Sequence, residues 1–203
     1  GFRARAAYKL KEIDEALGLV KPGHAVVDLG SAPGAWSQYL RRRLSPDGAA
    51  VGELKGRILA LDLLPMEPIE GVHFIQGDFR EEAVLAELEQ ALVGHGVDKV
   101  DVVVSDMAPN LSGIGATDSA RIELLVELAV DFAKAHLKAD GALVAKLFHG
   151  GAYDPLVVKS LVSNFMGEGY PLLLDANPFI NLLDHVIAGD GRANENITLT
   201  SMH

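Results

Sequence analysis

The sequence predicts an α/β fold in which helices cover both faces of a mostly parallel central sheet. Short apolar runs typical of strands alternate with longer amphipathic segments typical of helices. The run at 100–105 is rich in valine, as expected of a parallel strand that is buried on both faces. Such alternation builds successive β-α-β units and therefore a Rossmann-like sheet. No internal repeat or linker interrupts the pattern, so we expect a single domain over residues 1–203.

The predicted elements follow one another at regular spacing. Leu10, Ile13 and Leu17 recur at helical spacing and Gly18 follows them, so a helix is expected over 4–17. The same reasoning places further helices at 36–44, 81–92 and 119–137. The predicted strands are 25–30, 57–62, 72–75, 100–105 and 142–147.

Composition limits the classes of protein to consider. The chain has 203 residues, of which 49% are hydrophobic and 23% are charged, as in an ordinary globular domain. Cysteine is absent, which excludes a disulfide framework and a thiolate metal site. We see no apolar run long enough to cross a bilayer and no signal-peptide pattern. A cytoplasmic protein without a membrane partner is expected.

The overall charge counts against a nucleic-acid partner, because phosphate binding depends largely on Lys and Arg. The formal net charge is −10. The cations nevertheless cluster at two places, Arg3, Arg5, Lys9 and Lys11 at the start of the chain and the arginines at 41–43. The acids concentrate at 81–89 and in the last third of the chain. A local basic face on an acidic protein is therefore compatible with the sequence.

A glycine-containing turn follows the first predicted strand. Gly30 and Gly34 lie in it, and glycines at such a place let the backbone turn sharply and approach a ligand closely. Their spacing differs from the G-x-G-x-x-G dinucleotide fingerprint, which argues against a nicotinamide enzyme. A purely structural turn is the alternative explanation.

An aspartate follows each of the next three strands. Asp62 could accept hydrogen bonds from a ribose diol, or it could cap a loop. Asp78 could approach an adenine amino group, or it could be the N-cap of the acidic helix after it. Asp106 could serve a ligand, or it could be an exposed turn residue. Because ligands of parallel sheets bind beyond the carboxyl ends of the strands, these positions together predict a nucleoside site.

Lys146 lies inside the apolar fifth strand, where lysine is rare without a partner. Its side chain could snorkel from an edge position. We favour a functional role, because Asp106 would end a neighbouring strand at a comparable height and could pair with it. A partly buried lysine can also act as a base.

Six segments in this order resemble the FtsJ/RrmJ family of ribosomal RNA 2′-O-ribose methyltransferases. They are RARAAYKL (3–10), VDLGSAPGAWSQ (27–38), DLLPM (62–66), QGDFR (76–80), SDMAPN (105–110) and KLFHG (146–150). The similarity covers about residues 2–160. The bacterial enzymes that act on the large-subunit 23S RNA are most similar.

The resemblance implies an S-adenosylmethionine-dependent methyltransferase fold and site. The implied cofactor residues are Gly34, Trp36, Asp62, Asp78 and Asp106, to which the turn adds Gly30. The implied catalytic set is Lys–Asp–Lys–Glu, and Lys9, Asp106 and Lys146 match its first three members. Lys146, oriented by Asp106, would accept the 2′-hydroxyl proton or steady the alkoxide, while Lys9 would position the ribose or its phosphate. No metal is needed, and a monomer is expected.

The resemblance ends before the last part of the chain. Residues 161–203 are acidic where the family is basic, and the fourth catalytic residue is not matched clearly. Glu195, at the start of the last β-like run, is the best candidate for it. The expected substrate is a ribose, expected to be that of a uridine, within ribosomal RNA of the large subunit.

Two other functions stay open. One is a cofactor-binding ribosome-assembly factor with impaired catalysis, which the unusual last third favours. The other is a small-molecule methyltransferase, which the acidic charge favours. The presence of Lys9 and Lys146 with Asp106 argues against the second.

Overall fold

The structure is a computed structural model that describes residues 1–108, 112–149, 152–159 and 172–174. The chain divides into two compact units, 1–106 and 107–203. Each unit is treated by itself below.

The first unit contains three helices and a four-stranded parallel sheet. Its elements are α1 (Ala6–Leu17), β1 (Ala25–Leu29), α2 (Ala35–Arg43), β2 (Arg57–Asp62), β3 (Val72–Gln76), α3 (Glu82–Gly94) and β4 (Val100–Ser105). The strand order is β3-β2-β1-β4, and each neighbouring pair is parallel. The predicted α/β, Rossmann-like fold is confirmed.

Strand β1 forms the centre of this sheet. All five of its residues are buried, and it pairs with β2 at one edge and with β4 at the other. Leu29, the last residue of β1, pairs with Leu61 on one side and Ser105 on the other. The carboxyl ends of β1, β2 and β4 therefore meet at one edge, where the predicted ligand site should lie.

Helices α1 and α2 are joined by a buried carboxylate. The Asp14 carboxylate on α1 accepts a hydrogen bond from the Tyr39 hydroxyl at 2.5 Å and one from Arg43 Nε at 3.2 Å. It also accepts the backbone N–H of Val20 at 2.8 Å. Burial and the hydrogen bond to Asp14 raise the pKa of Tyr39. These contacts fix the helix that carries Lys9 against the helix that follows the turn after β1.

The second unit contains α4 (Gly115–His136), β5 (Leu137–His149), β6 (Ala152–Lys159) and β7 (Leu172–Leu174). β5 pairs with β6 and β6 with β7, both antiparallel. The sequence predicts α4 and β5 at 119–137 and 142–147, so both elements begin earlier than expected, and α4 ends one residue earlier. The Asp118 carboxylate accepts the backbone N–H groups of Ser112 and Gly113, which explains the earlier start of α4.

Strands β6 and β7 were not predicted. Pro155 interrupts the apolar run of β6, and β7 is only three residues long. In the part of the chain that the structure describes, no helix is both long and apolar enough to span a membrane. The single domain over 1–203 stays a prediction.

Candidate cofactor and active site

The turn after β1 is attached to the end of β2 by backbone hydrogen bonds. The N–H groups of Gly30 and Ser31 both donate to the carbonyl of Leu61, at 2.8 and 3.1 Å. The Asp62 carboxylate continues this attachment by accepting the N–H of Ala32 at 2.8 Å. The turn is thus held in one conformation at the carboxyl edge of the sheet.

Gly34 begins α2 with a φ of +110°, a backbone conformation that other residues rarely adopt. Its surroundings are also crowded. A β-carbon at this position would lie 2.8 Å from Arg3 Nη1 and 3.0 Å from both Met66 Sδ and Ile69 Cδ1. The positive φ therefore favours glycine, and a larger residue would also have to displace the ends of the Arg3, Met66 and Ile69 side chains.

Asp28 is the most unusual residue of the site, because its carboxyl is fully buried. The Ser37 hydroxyl donates to Asp28 Oδ2 at 2.6 Å, but Oδ1 has no hydrogen-bond partner. Nearby, the buried Ser31 hydroxyl also lacks a partner. Within the described residues, these two atoms are the buried side-chain oxygens or nitrogens without a hydrogen bond. Buried polar atoms without partners are uncommon and point to a ligand that supplies them.

Two neighbouring carboxylates act on Asp28. Burial is the main reason that the pKa of Asp28 is raised to about 8; the Ser37 hydrogen bond opposes this rise, and the negative charges of Asp106 and Asp62 add to it. The structure therefore brings the acids of β1, β2 and β4 close enough to interact. A cationic ligand would stabilise the ionised form of all three.

Asp62 is half-buried and organises the loop after β2. Besides Ala32, its carboxylate accepts the N–H of Leu64 at 2.8 Å. The loop-capping role that the sequence left open is therefore present. Each carboxylate oxygen keeps a second lone pair, so a role toward a ribose diol stays a prediction.

Asp78 follows β3 and forms an ion pair with Arg80, with a shortest distance of 2.7 Å. The hydrogen bond from Arg80 lowers the pKa of Asp78. The alternative of a helix N-cap is wrong, because α3 begins after Glu81 and no side chain caps it. The role toward adenine stays a prediction.

Asp106 directly follows β4 and is half-buried. Its backbone N–H donates to the carbonyl of Leu29 at 2.9 Å, which places it at the tip of β1. Asp106 is thus only partly exposed, and its role toward a ligand stays a prediction.

Trp36 and Lys9 connect the site to α1. The Trp36 indole is buried, and its Nε1 donates to the carbonyl of Ala6 at 2.9 Å. The Lys9 side chain is 42% exposed, and its ammonium lies 3.5 Å from the Glu12 carboxylate. An exposed pair of this kind contributes little, so Lys9 can exchange Glu12 for a phosphate at small cost. The roles of both residues toward ligands stay predictions.

The remaining predicted catalytic residues belong to the second unit. Lys146 is half-buried in β5, beside the buried Val144 and Ala145. Its pairing with Asp106 stays a prediction, and Glu195 lies outside the described residues. In the described ranges, no three His, Asp or Glu side chains are grouped so that they could hold a metal ion.

Sequence reasoning missed two parts of this site. It did not assign a role to Asp28, although an acid inside an apolar strand is a recognisable signal. It treated Arg3 only as a member of a basic cluster, and its contacts with two distant loops could not be read from the chain.

A parallel sheet with glycines and acids at its strand ends is typical of Rossmann-like enzymes, many of which bind a nucleoside cofactor. A family model described as FtsJ-like methyltransferase matches residues 2–169. The chain belongs to the FtsJ-like methyltransferase family.

Relatives in two bacteria are similar along most of their length. A protein of Delftia acidovorans named ribosomal RNA large subunit methyltransferase E is 75% identical over 157 residues, which are 77% of this chain and 71% of that protein. A protein of the same name from Variovorax paradoxus is 69% identical over 165 residues, or 81% of this chain and 72% of that protein.

A solved structure supports the same family. It is a Plasmodium falciparum protein described as a ribosomal RNA methyltransferase, with 28% identity and a TM-score of 0.63. The match covers 73% of this chain and 80% of that one.

Proposed function

We propose that this protein transfers a methyl group from S-adenosylmethionine to a ribose 2′-hydroxyl of large-subunit ribosomal RNA, with a uridine as the expected target. The observation that carries the proposal is the turn after β1, where Asp28 and Ser31 keep unpartnered oxygens beside Asp62 and Asp106. The bacterial relatives named ribosomal RNA large subunit methyltransferase E support the choice of RNA.

The residues at the strand ends fit this cofactor. S-adenosylmethionine carries a positive sulfonium and an ammonium group, and three acids surround the turn. Asp62 and Asp78 would hold the ribose and the adenine, and the backbone of Gly30 and Gly34 would allow close approach. Trp36 and Asp106 complete the proposed set. When bound, the cofactor supplies an activated methyl group, so the protein's task is positioning and proton transfer.

In this proposal, proton transfer is carried out by a residue of the second unit. Lys146, oriented by Asp106, accepts the proton of the 2′-hydroxyl or stabilises the developing alkoxide. Lys9 holds the target ribose or its phosphate, and Glu195 is the proposed fourth member of the set. No metal takes part in the proposed reaction.

RNA binding is assigned to the exposed cations of the first unit. Arg5, Lys11 and Arg43 are exposed, and Lys9 lies on the same helix as Lys11. We propose that these cations are the RNA face of a chain whose net charge is −10, with RNA phosphates replacing the carboxylates that now pair with Lys9 and Lys11. Affinity for RNA should therefore fall steeply with added salt. We propose a monomer that acts in the cytoplasm.

The test is methyl transfer from labelled S-adenosylmethionine to large ribosomal subunits that lack their ribose methylation. The wild type should label a ribose 2′-oxygen, and Lys146→Ala should abolish this label while it still binds S-adenosylhomocysteine. The matched control is Lys138→Ala, an exposed lysine of the same strand, which should keep activity. A wild type that binds cofactor but labels no RNA would contradict the proposal, and so would a Lys146→Ala variant with full activity.

One observation favours a second function. The family match ends at residue 169 and does not reach Glu195. A ribosome-assembly factor that binds the cofactor with impaired catalysis would have this pattern. It predicts binding of cofactor and subunits without turnover in the experiment above, whereas a small-molecule methyltransferase would bind no RNA.

A further inference from the structure

Arg3 makes an unusual set of contacts for an arginine near a chain end. Its Nη1 donates to the carbonyls of Pro33 and Glu67, at 2.9 and 2.7 Å, and its Nη2 donates to the carbonyl of Pro68 at 3.1 Å. Its backbone N–H donates to the Gln38 side chain at 2.6 Å. The three carbonyls belong to two separate segments, the turn from β1 to α2 and the loop between β2 and β3, and Gln38 lies on α2.

The two segments joined by Arg3 are those that border the proposed cofactor site. The first contains Gly30 and Gly34, and the second begins directly after Asp62. Arg3 Nη1 also lies 2.8 Å from the position that a β-carbon of Gly34 would occupy, so the guanidinium packs against the turn itself. The Trp36 indole, which donates to Ala6, attaches the same N-terminal segment to the start of α2.

From these contacts we infer that Arg3 is a positioning residue for the turn at 30–34, here called the cofactor turn. Arg3 holds this turn and the β2–β3 loop at the spacing that binds S-adenosylmethionine. The inference rests on the proposed function. It differs from a role in binding RNA phosphates, because three of the N–H groups of Arg3 already donate to protein carbonyls.

The chemistry requires arginine. A guanidinium is planar, and its N–H groups point in fixed directions that reach three carbonyls at once. The nitrogen of a lysine lies one bond nearer the backbone than the Nη atoms of an arginine, so it cannot occupy both the Nη1 position that reaches Pro33 and Glu67 and the Nη2 position that reaches Pro68. Arg3→Lys should therefore behave like Arg3→Ala, although it keeps the charge.

The experiment measures binding of S-adenosylhomocysteine by calorimetry in the absence of RNA. Arg3→Lys and Arg3→Ala should both weaken binding by about tenfold, because hydrogen bonds from a charged donor are lost. Hydrogen exchange should increase at residues 30–38 and 63–71 in both variants. Arg57→Ala is the charge-matched control, since this exposed arginine donates only to the adjacent carbonyl of Gly56 among the bonds described, and its binding should equal the wild type.

A second measurement separates positioning from RNA binding. In steady-state kinetics, the Arg3 variants should raise the KM for the cofactor and leave the KM for RNA within about twofold. Arg5→Ala should show the opposite pattern, because Arg5 belongs to the proposed RNA face. Wild-type affinity in the Arg3 variants, or a rise only in the KM for RNA, would overturn the inference. A wild type that binds no S-adenosylhomocysteine would overturn the proposed function and the inference with it.

Discussion

Ser37 donates a hydrogen bond to one carboxylate oxygen of the fully buried Asp28 and leaves the other oxygen without a partner. The pair joins the central strand β1 to the first turns of α2 across the cofactor turn. Because one oxygen has no partner, the site contains a buried carboxyl, that of Asp28, which can bind a proton before any ligand binds. The consequences can be measured without RNA.

Replacing Asp28 with Asn should flatten the dependence of stability on pH. The pKa of Asp28 is about 8 in the folded protein, against 3.8 for an ordinary aspartate, because of burial and the charges of Asp106 and Asp62. The folded state thus binds the proton of Asp28 more tightly than the unfolded state does. The resulting contribution to the free energy of unfolding is fully present below pH 4 and is lost as the pH rises through 8. The slope is at most about 1.4 kcal/mol per pH unit.

Urea unfolding between pH 5 and 9 measures this slope. Asn keeps an oxygen for Ser37 and cannot ionise, so Asp28→Asn should lose less stability than the wild type over that range. Equal slopes for the two proteins would show that Asp28 ionises normally.

Gly34→Ala should disrupt both stability and cofactor binding. The control is Gly48→Ala, because Gly48 also has a positive φ of +72° but nothing lies within 4 Å of its β-carbon position. The control should lose about 1 kcal/mol of unfolding free energy from backbone strain alone. Gly34→Ala should lose more, and only it should weaken binding of S-adenosylhomocysteine in calorimetry. Equal losses would mean that Arg3, Met66 and Ile69 move aside freely.

Arg41→Met should destabilise the first unit by about 2–4 kcal/mol in chemical unfolding. The Arg41 guanidinium is buried and donates to the carbonyls of Gly52 at 2.6 Å and Glu70 at 2.8 Å, with a longer bond to Glu53. Methionine fills similar space but leaves these acceptors without a donor. Lys55→Met changes an exposed residue of the loop that contains Gly52 and Glu53. It should lower the free energy of unfolding by less than about 0.5 kcal/mol. A similar loss in both variants would contradict a specific role for Arg41.

His95 should make the first unit sensitive to mild acid. Its ring lies against His73, with Nε2 and Nδ1 2.9 Å apart, a contact that needs at least one neutral ring. Although His95 is exposed, partial desolvation by its neighbours and then the charges of His73 and Arg57 lower its pKa from 6.5. The stability contribution is therefore present above pH 6.5 and lost as the pH falls through the lowered value. NMR titration should place His95 below 6.5 and shift it upward in His73→Gln; an unchanged value in that variant would refute the coupling.

The elements of the first unit could be predicted because their pattern is local. The apolar run before Gly30 and the valines before Asp106 each define a strand within a few positions, and parallel pairing then brings their ends together. The start of β5 could not be predicted in this way. Its residues at 137–141 include two charged residues and a glycine, which the apolar pattern of a strand excludes.

The chemistry of the site depended on distant contacts. Asp28 meets Ser37 only after α2 has packed on the sheet. Arg3 reaches Pro33, Glu67 and Pro68 across 30, 64 and 65 positions of the chain. Such contacts leave no periodic signal, so the sequence indicated the acids of the site but neither the buried carboxyl nor the arginine that orders its loops.

The central position of β1 in the sheet also determines when this part of the fold can form during synthesis. The N–H of Ala25 donates to the Asp101 carboxylate 76 positions later, and β4 supplies one whole edge of β1. During synthesis, the nascent chain must therefore extend past β4 before the cofactor turn gains its second neighbour. Until then the backbone N–H and C=O groups along this edge of β1 have no strand to pair with, so an unfinished chain can pair there with a strand of another chain.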